Sequence, residues 1–382
     1  MKVLVVAGAF YPAKRYGGPV VSIDNMCTLL KDQCDFYLIA RDHDFGEEKR
    51  LEGITSGWNE RNNCKVLYLS EDKFTYEIFQ KVYLDVSPDF VYVNSLFDAK
   101  LTLSFLKICK EKKCNVLLAP RGQLCDGAFK RKYKKIPFIW YLKMKGLIKD
   151  VYFQSTSDDE TNAIKKYLKA KNNNIFYLPN IPSIPSRNIE RLEKKEGEGD
   201  FVFLSRIHPK KNLVSALSFF NSVKGSVRFD IYGPIEDSDY WSECQKVIEK
   251  LPKNITVNYC GLTSHDEVHN VFSRYNGFLF PTFSENYGHV IAESLIAGTP
   301  VIISDQTPWN DVSIFNCGWA IPLSDKKSFC EKIQAIVDLN DSGFQKMSLS
   351  AKEYAYKKAD LLQLTRQYRD AFEKTLAYSK EN

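Results

Sequence analysis

Short apolar runs alternate with amphipathic stretches along almost the whole chain. In the first half, Val3–Ala7, Phe36–Ala40, Val66–Leu69, Phe90–Asn94 and Asn115–Ala119 read as short strands. Val20–Leu30 and Tyr76–Asp85 fall between them and carry apolar residues at helical spacing. Val151–Gln154 and Ile175–Leu178 continue the alternation. Strand-like runs separated by helix-like ones predict a parallel, doubly wound α/β sheet, whose two faces the helices cover.

The pattern breaks after Leu178. Pro179, Pro182 and Pro185 recur at three-residue spacing, and RNIERLEKKEGEGD follows. Proline punctuation, dense charge and few apolar residues suit a linker and a surface loop. A second alternation starts at Phe201–Ser205 and runs through Phe229–Tyr232, Thr256–Tyr259, Phe278–Phe280 and Val301–Ile303. Asp360–Ser379 reads as a terminal helix. A chain of 382 residues exceeds the roughly 250–300 residues at which single cores stop growing. Two domains are therefore expected, over residues 1–182 and 183–360.

The stretch from Phe283 to Asp305, FSENYGHVIAESLIAGTPVIISD, carries the strongest chemical signal. Glu285 sits in the loop after an apolar run. A helix is expected from about Tyr287 to Ala297, stopped by Gly298 and Pro300. In open α/β sheets, ligands collect where strands end and helices begin. The amides of Tyr287, Gly288, His289 and Val290 would there face a phosphate, and Gly288 allows close backbone approach. Glu293 lies inside the helix with no Lys or Arg three or four positions away. Such a carboxylate can accept bonds from two sugar hydroxyls; the alternative is a solvated helix glutamate.

Two glutamates eight apart around a glycine-containing helix start, followed by AGTPVIISD, resemble the signature of the family-4 retaining glycosyltransferases, within glycosyl transferases group 1. The resemblance implies the GT-B fold: α/β, two Rossmann-like domains with parallel sheets facing across a cleft. The last helix, about residues 361–382, would pack back on the first domain. Acceptor binding falls to the first domain and nucleotide-sugar binding to the second. Glu285 would lie near the donor sugar, Glu293 would hold the ribose, and the amides between them would bind the diphosphate.

Further residues fit this expectation. LSRIHPKKNL places Arg206 and Lys211 five apart after a strand end. A planar fork and a point charge suit a departing diphosphate. They resemble the family's arginine–lysine pair, with Lys211 rather than Lys210 in register. YGGP puts Gly17 and Gly18 before a helix start, where they could also meet the diphosphate; no G-x-G-x-x-G occurs there, which argues against a nicotinamide enzyme. Arg121, in APRGQ after a strand, is a candidate for touching donor sugar or acceptor, where the resemblance implies a histidine or, as here, an arginine. His43 and Asp44 follow a strand end in the first domain and could face an acceptor. The triplets Asp42-His43-Asp44 and Asp237-Ser238-Asp239 mimic a metal-binding DxD, but no metal or other cofactor is expected, the nucleotide sugar being a substrate.

Composition narrows the picture without changing it. The net charge of +6 is mild for this length and does not argue for nucleic acid. No apolar run reaches the ~18 residues that span a bilayer. MKVLVVAGAF reads as a first strand, not a signal peptide. The ten cysteines form no CxxC or zinc spacing, which suits a reducing cytoplasm. Lys130–Lys149 holds eight Lys or Arg and no acid around Phe138-Ile139-Trp140-Tyr141-Leu142. That composition suits an anionic membrane surface and peripheral attachment; it would also suit nucleic acid or a solvated helix with core aromatics. The expected partners are a UDP- or GDP-sugar donor, a glycan or lipid-linked acceptor, and an anionic membrane surface through 130–149, with no nucleic acid. The expectation is a retaining glycosyltransferase of cell-surface polysaccharide biosynthesis. Its rivals are another GT-B enzyme, such as a phosphorylase or nucleotide-sugar epimerase, and a non-catalytic membrane-binding protein.

Overall fold

The computed structural model describes residues 1–377, apart from residues 14, 17, 62, 126–131 and 186–192. Of the basic stretch, residues 130 and 131 and the side chains of residues 132–134 therefore lie outside the described residues. The chain divides into two compact units, Met1–Ile181 with Leu361–Asn382, and Pro182–Asp360.

The first unit contains strands β1 (Lys2–Val6), β2 (Asp35–Arg41), β3 (Trp58–Arg61), β4 (Cys64–Leu69), β5 (Phe90–Val93), β6 (Asn115–Leu118), β7 (Tyr152–Ser155) and β8 (Ile175–Tyr177). Its helices are α1 (Gly18–Leu29), α2 (Tyr76–Val86), α3 (Ala99–Lys112), α4 (Lys132–Met144) and α5 (Asp158–Leu168). The sheet order is β3-β4-β2-β1-β5-β6-β7-β8. All neighbours are parallel except the β3–β4 pair. Successive strand residues point to opposite faces, so Val3 and Val5 join one buried layer while Leu4 and Val6 join the other. Both layers exclude water, which explains why the strands read as unbroken apolar runs.

The second unit contains β9 (Glu198–Leu204), α6 (Leu213–Ser218), β10 (Ser226–Tyr232), α7 (Ser238–Ile248), β11 (Ile255–Gly261), α8 (Val268–Phe272), β12 (Gly277–Phe280), α9 (His289–Ala297), β13 (Val301–Ser304), β14 (Gly318–Ile321), α10 (Lys326–Val337) and α11 (Asp341–Ala359). Its all-parallel sheet runs β11-β10-β9-β12-β13-β14. The order reverses between β9 and β12, as in doubly wound nucleotide-binding sheets.

Helix α12 (Leu361–Ala377) belongs to the first unit. Leu364, Tyr368, Ala371, Phe372 and Thr375 form its buried stripe. The Phe372 ring lies 5.0 Å from Phe90. The Tyr368 hydroxyl donates to the Pro179 carbonyl (3.0 Å) and accepts from Gln154 Nε2 (3.0 Å).

The structure adds to the sequence expectations and in places departs from them. β3 and β14 went unread because WNER and GWAI lack a long apolar run. Helix α9 starts at His289, two residues later than expected, because Gly288 is left-handed at φ 79° and acts as the N-cap. The charged stretch after the prolines is not all surface: Lys194 is 4% exposed. Its ammonium lies within hydrogen-bond reach of the carbonyls of Lys195 (2.7 Å), Glu198 (2.5 Å), Val337 (3.1 Å) and Leu339 (3.1 Å), tying the entry of β9 to the end of α10. Asp237 of the second acidic triplet is a helix cap, its Oδ1 accepting the Tyr240 amide at 2.9 Å.

Candidate active site

The strand order reverses between β9 and β12, and in an open α/β sheet the ligand crevice lies at the carboxyl ends of the strands at such a point. A groove elsewhere, lined by Lys31, Cys34, Asp35 and Cys64, lies at the starts of β2 and β4, the wrong end of the sheet for this rule.

The two loops are stapled together by backbone. After β9 the chain makes a single 3-10 turn, Pro209–Lys211, in which His208 Nδ1 accepts the Lys210 amide at 3.1 Å. Asn212 is left-handed at φ 60°, and its Nδ2 donates to the Pro281 carbonyl at 2.9 Å. The Phe283 amide donates to the Lys210 carbonyl at 3.0 Å. This turn buries Lys211 and leaves Lys210 exposed. The Lys211 ammonium donates to Glu285 Oε1 and lies 5.3 Å from the centre of the Phe280 ring. Both side chains are largely shielded, at 11% and 15% exposure. The Glu285 backbone is fixed in turn by its amide, which donates to the Gln306 carbonyl at 3.0 Å. Arg206 stands on the same loop as Lys211. Its NH1 serves both oxygens of Glu236 at 3.0 Å each. Among the described residues, nothing hydrogen-bonds its other two nitrogens.

Helix α9 opens beside Glu285. A Cβ on Gly288 would meet Ile291 Cδ1 at 2.9 Å, and the φ of 79° already disfavours side chains. The amides of Ile291 and Ala292 turn back onto the Gly288 carbonyl (2.9 and 3.3 Å). Those of His289 and Val290 stand at the open amino end, where the helix dipole favours negative charge. Tyr287 is held by Trp309, whose Nε1 donates to its carbonyl at 2.5 Å. Its ring packs edge-on against His289 at 4.9 Å.

Glu293 is 3% exposed in the same helix. Burial pushes its carboxyl up to about 7, against a hydrogen bond from Ser183 that lowers it. His265 Nδ1 lies 3.8 Å from Oε1, and His265 Nε2 is hydrogen-bonded to the Ser183 hydroxyl at 2.9 Å. His269 Nε2 donates to the Ser183 carbonyl at 3.1 Å; burial first, then the charge of His265, drives its pKa down to about 4. Ser183 and His265 lie far from Glu293 in sequence, and no local signal linked them to it.

The first-unit candidates are placed differently. Arg121 is left-handed at φ 55°. Its Nε donates to Asn94 Oδ1 (2.6 Å), NH1 to Asn180 Oδ1 (2.7 Å) and NH2 to the Tyr92 hydroxyl (2.7 Å). All three nitrogens are engaged inside the unit, where Arg121 clamps strand ends together. Asp44 is 7% exposed and its carboxylate accepts the amides of Arg15 (3.1 Å) and Phe45 (2.8 Å), which braces the loop after β1 instead of facing outward. His43 Nδ1 is hydrogen-bonded to Asp42 at 3.1 Å. Gly18 opens α1, its carbonyl accepting the Ser22 hydroxyl at 2.9 Å, and Gly17 lies outside the described residues.

Comparison with known proteins places this geometry. Residues 186–358 match the sequence profile of Glycosyl transferases group 1, and the fold is that of GT-B proteins. The chain is 29% identical over 185 residues to the UDP-N-acetylglucosamine–peptide N-acetylglucosaminyltransferase GtfA subunit of Streptococcus agalactiae. That match covers 45% of this chain and 34% of that protein. It is 25% identical over 151 residues to the O-antigen chain mannosyltransferase RfbU of Salmonella typhimurium, covering 40% and 42%. The chain thus spans between about a third and two fifths of the length of these curated relatives. The Anabaena protein HepE, solved in complex with UDP and glucose, superposes with a TM-score of 0.72. The match covers 98% of this chain and 100% of that one at 13% identity, a likeness of fold alone.

Proposed function

We propose that this protein is a retaining glycosyltransferase. It moves a sugar from a UDP- or GDP-sugar to a glycan or lipid-linked acceptor in cell-surface polysaccharide synthesis, at the cytoplasmic face of the membrane. The observation that carries the reading is the shielded Lys211–Glu285 pair at the β9/β12 crevice, beside the amino end of α9. UDP accompanies the HepE fold neighbour, and two curated relatives are sugar transferases.

In this reading the diphosphate lies against the first turn of α9 and the Lys211 ammonium. An ammonium has three donors, so Lys211 can hold a phosphate oxygen while keeping Glu285 Oε1. Arg206 supplies the two nitrogens that Glu236 leaves over. Three positive elements then face the charge that grows on the departing phosphate, which is the larger part of catalysis for such a step. Glu285, held by Lys211, lies beside the donor sugar. The carbon–oxygen bond to the β-phosphate breaks, the acceptor oxygen bonds to the same face of the sugar, and its proton passes to the leaving phosphate. Glu293 receives the ribose hydroxyls, exchanging its bond from Ser183 for theirs. Arg121 and Asp44 position first-unit loops, and no metal or other cofactor takes part.

The test is a panel of UDP-, GDP- and ADP-sugars scored by thermal shift, hydrolysis and anomeric proton signals. One nucleotide should raise the melting temperature by mass action, and the first-formed sugar should keep the donor's configuration. An inverted product would refute retention, and no response to any nucleotide would refute the donor reading.

A further inference from the structure

Helix α4 is apolar on two sides, which one core cannot explain. Its inner side, Ile139 and Leu142, is 4% and 0% exposed and joins the first unit's second buried layer. Ile136, Trp140 and Met144 are 48%, 61% and 66% exposed. At about 100° per residue these three fall within roughly 80° of arc, away from the buried side. A surface helix of a water-soluble domain turns polar residues outward; here a large aromatic and two aliphatic side chains stand one turn apart in water.

The surroundings are cationic. Lys145 and Lys149 are exposed, and Lys143 is half-buried beside the stripe. Residues 130–149 contain no acid. Lys143 is lowered by burial and then by the like charge of Lys169. Lys110, on the neighbouring α3, donates through Nζ to the Lys145 carbonyl at 2.7 Å, bringing another cation to the end of α4.

We propose that the outer face of α4 is a seat for an anionic lipid bilayer, with Ile136, Trp140 and Met144 entering the headgroup–acyl boundary and Lys143, Lys145 and Lys149 meeting lipid phosphates. Apolar side chains in a line flanked by cations match the two-part character of that interface, and tryptophan prefers the headgroup level. A nucleic acid would satisfy the lysines but leave Ile136 and Met144 against phosphate. The inference stands apart from the donor reading, because vesicle binding reads it without nucleotide.

The experiment is co-sedimentation of the full chain with vesicles of phosphatidylglycerol and phosphatidylcholine, set against phosphatidylcholine alone. Binding should need the anionic lipid and weaken as salt rises. Each cation near such a surface contributes about fivefold, so K145E with K149E should lower binding by more than about tenfold. I136S with M144S should lower it comparably without changing the melting temperature, since both sites are exposed. Bromine-labelled acyl chains should quench tryptophan emission in the parent protein and not in W140F. Equal binding to both vesicle types, no binding to either, quenching that survives W140F, or a DNA duplex that competes the protein off vesicles would each overturn the proposal.

Discussion

Glu293→Gln isolates the electrostatic state of the α9 carboxylate. Glu293 is 3% exposed, and its carboxyl is raised from 4.5 to about 7, chiefly by burial. The unfolded chain releases this proton near 4.5, while the folded protein keeps it until about 7. Between these values the folded state binds more protons, so stability falls as pH rises and levels off above about 7. The whole difference is worth roughly 3 kcal/mol, of which roughly 2.5 kcal/mol falls between pH 5 and pH 8. Gln keeps the acceptor oxygen for Ser183 and does not ionise. Near pH 5 the two proteins should therefore melt close together, and by pH 8 the Gln variant should lead. For a unit of 150–250 residues the lead should grow by roughly 5–10 °C. Differential scanning calorimetry in matched-ionisation buffers measures it. A gap that stays constant from pH 5 to pH 8 would refute the claim that this carboxyl is held neutral by burial.

Lys211→Ala should cut turnover with the accepted nucleotide sugar by about a hundredfold, while Lys210→Ala, at an exposed position, should leave it nearly unchanged; the reverse order would displace the pair. Gly288→Ala forces a Cβ onto Ile291 at a left-handed φ, which costs about 1–2 kcal/mol, and should weaken nucleotide affinity measured by calorimetry; an unaltered affinity would remove the first turn of α9 from the site. Lys194→Met withdraws an ammonium from four carbonyls and should destabilise the second unit by at least about 2 kcal/mol in urea titration; a neutral result would show that the carbonyls find other donors.

Much of this was legible in the sequence, and the reason is the sheets. Strands buried on both faces announce themselves as apolar runs, so β5, β12 and β13 were found almost to the residue. β3 was not, because its WNER pairs only at a sheet edge. In the candidate site, Glu285 and Lys211 each follow a strand end and Gly288 opens a helix, and the topology of β9 and β12 brings those positions together. Partners supplied by distant loops were illegible: Glu236 on Arg206, Ser183 and His265 at Glu293, Asn94 and Asn180 on Arg121. Arg121 and Asp44 are tied to such partners as well. A charged residue after a strand looks like a ligand group, yet each satisfies neighbouring protein atoms that the sequence does not place.

The central claim is that the β9/β12 crevice binds a nucleoside diphosphate on the first turn of α9. Amide hydrogen exchange, with and without saturating UDP or GDP, tests it most directly, because the proposed contacts are the amides themselves. Slowed exchange should concentrate in residues 285–292 and 204–212, with little change around β5 and β6. Slowing confined to the first unit, or none in residues 285–292 while the nucleotide is bound, would contradict the account.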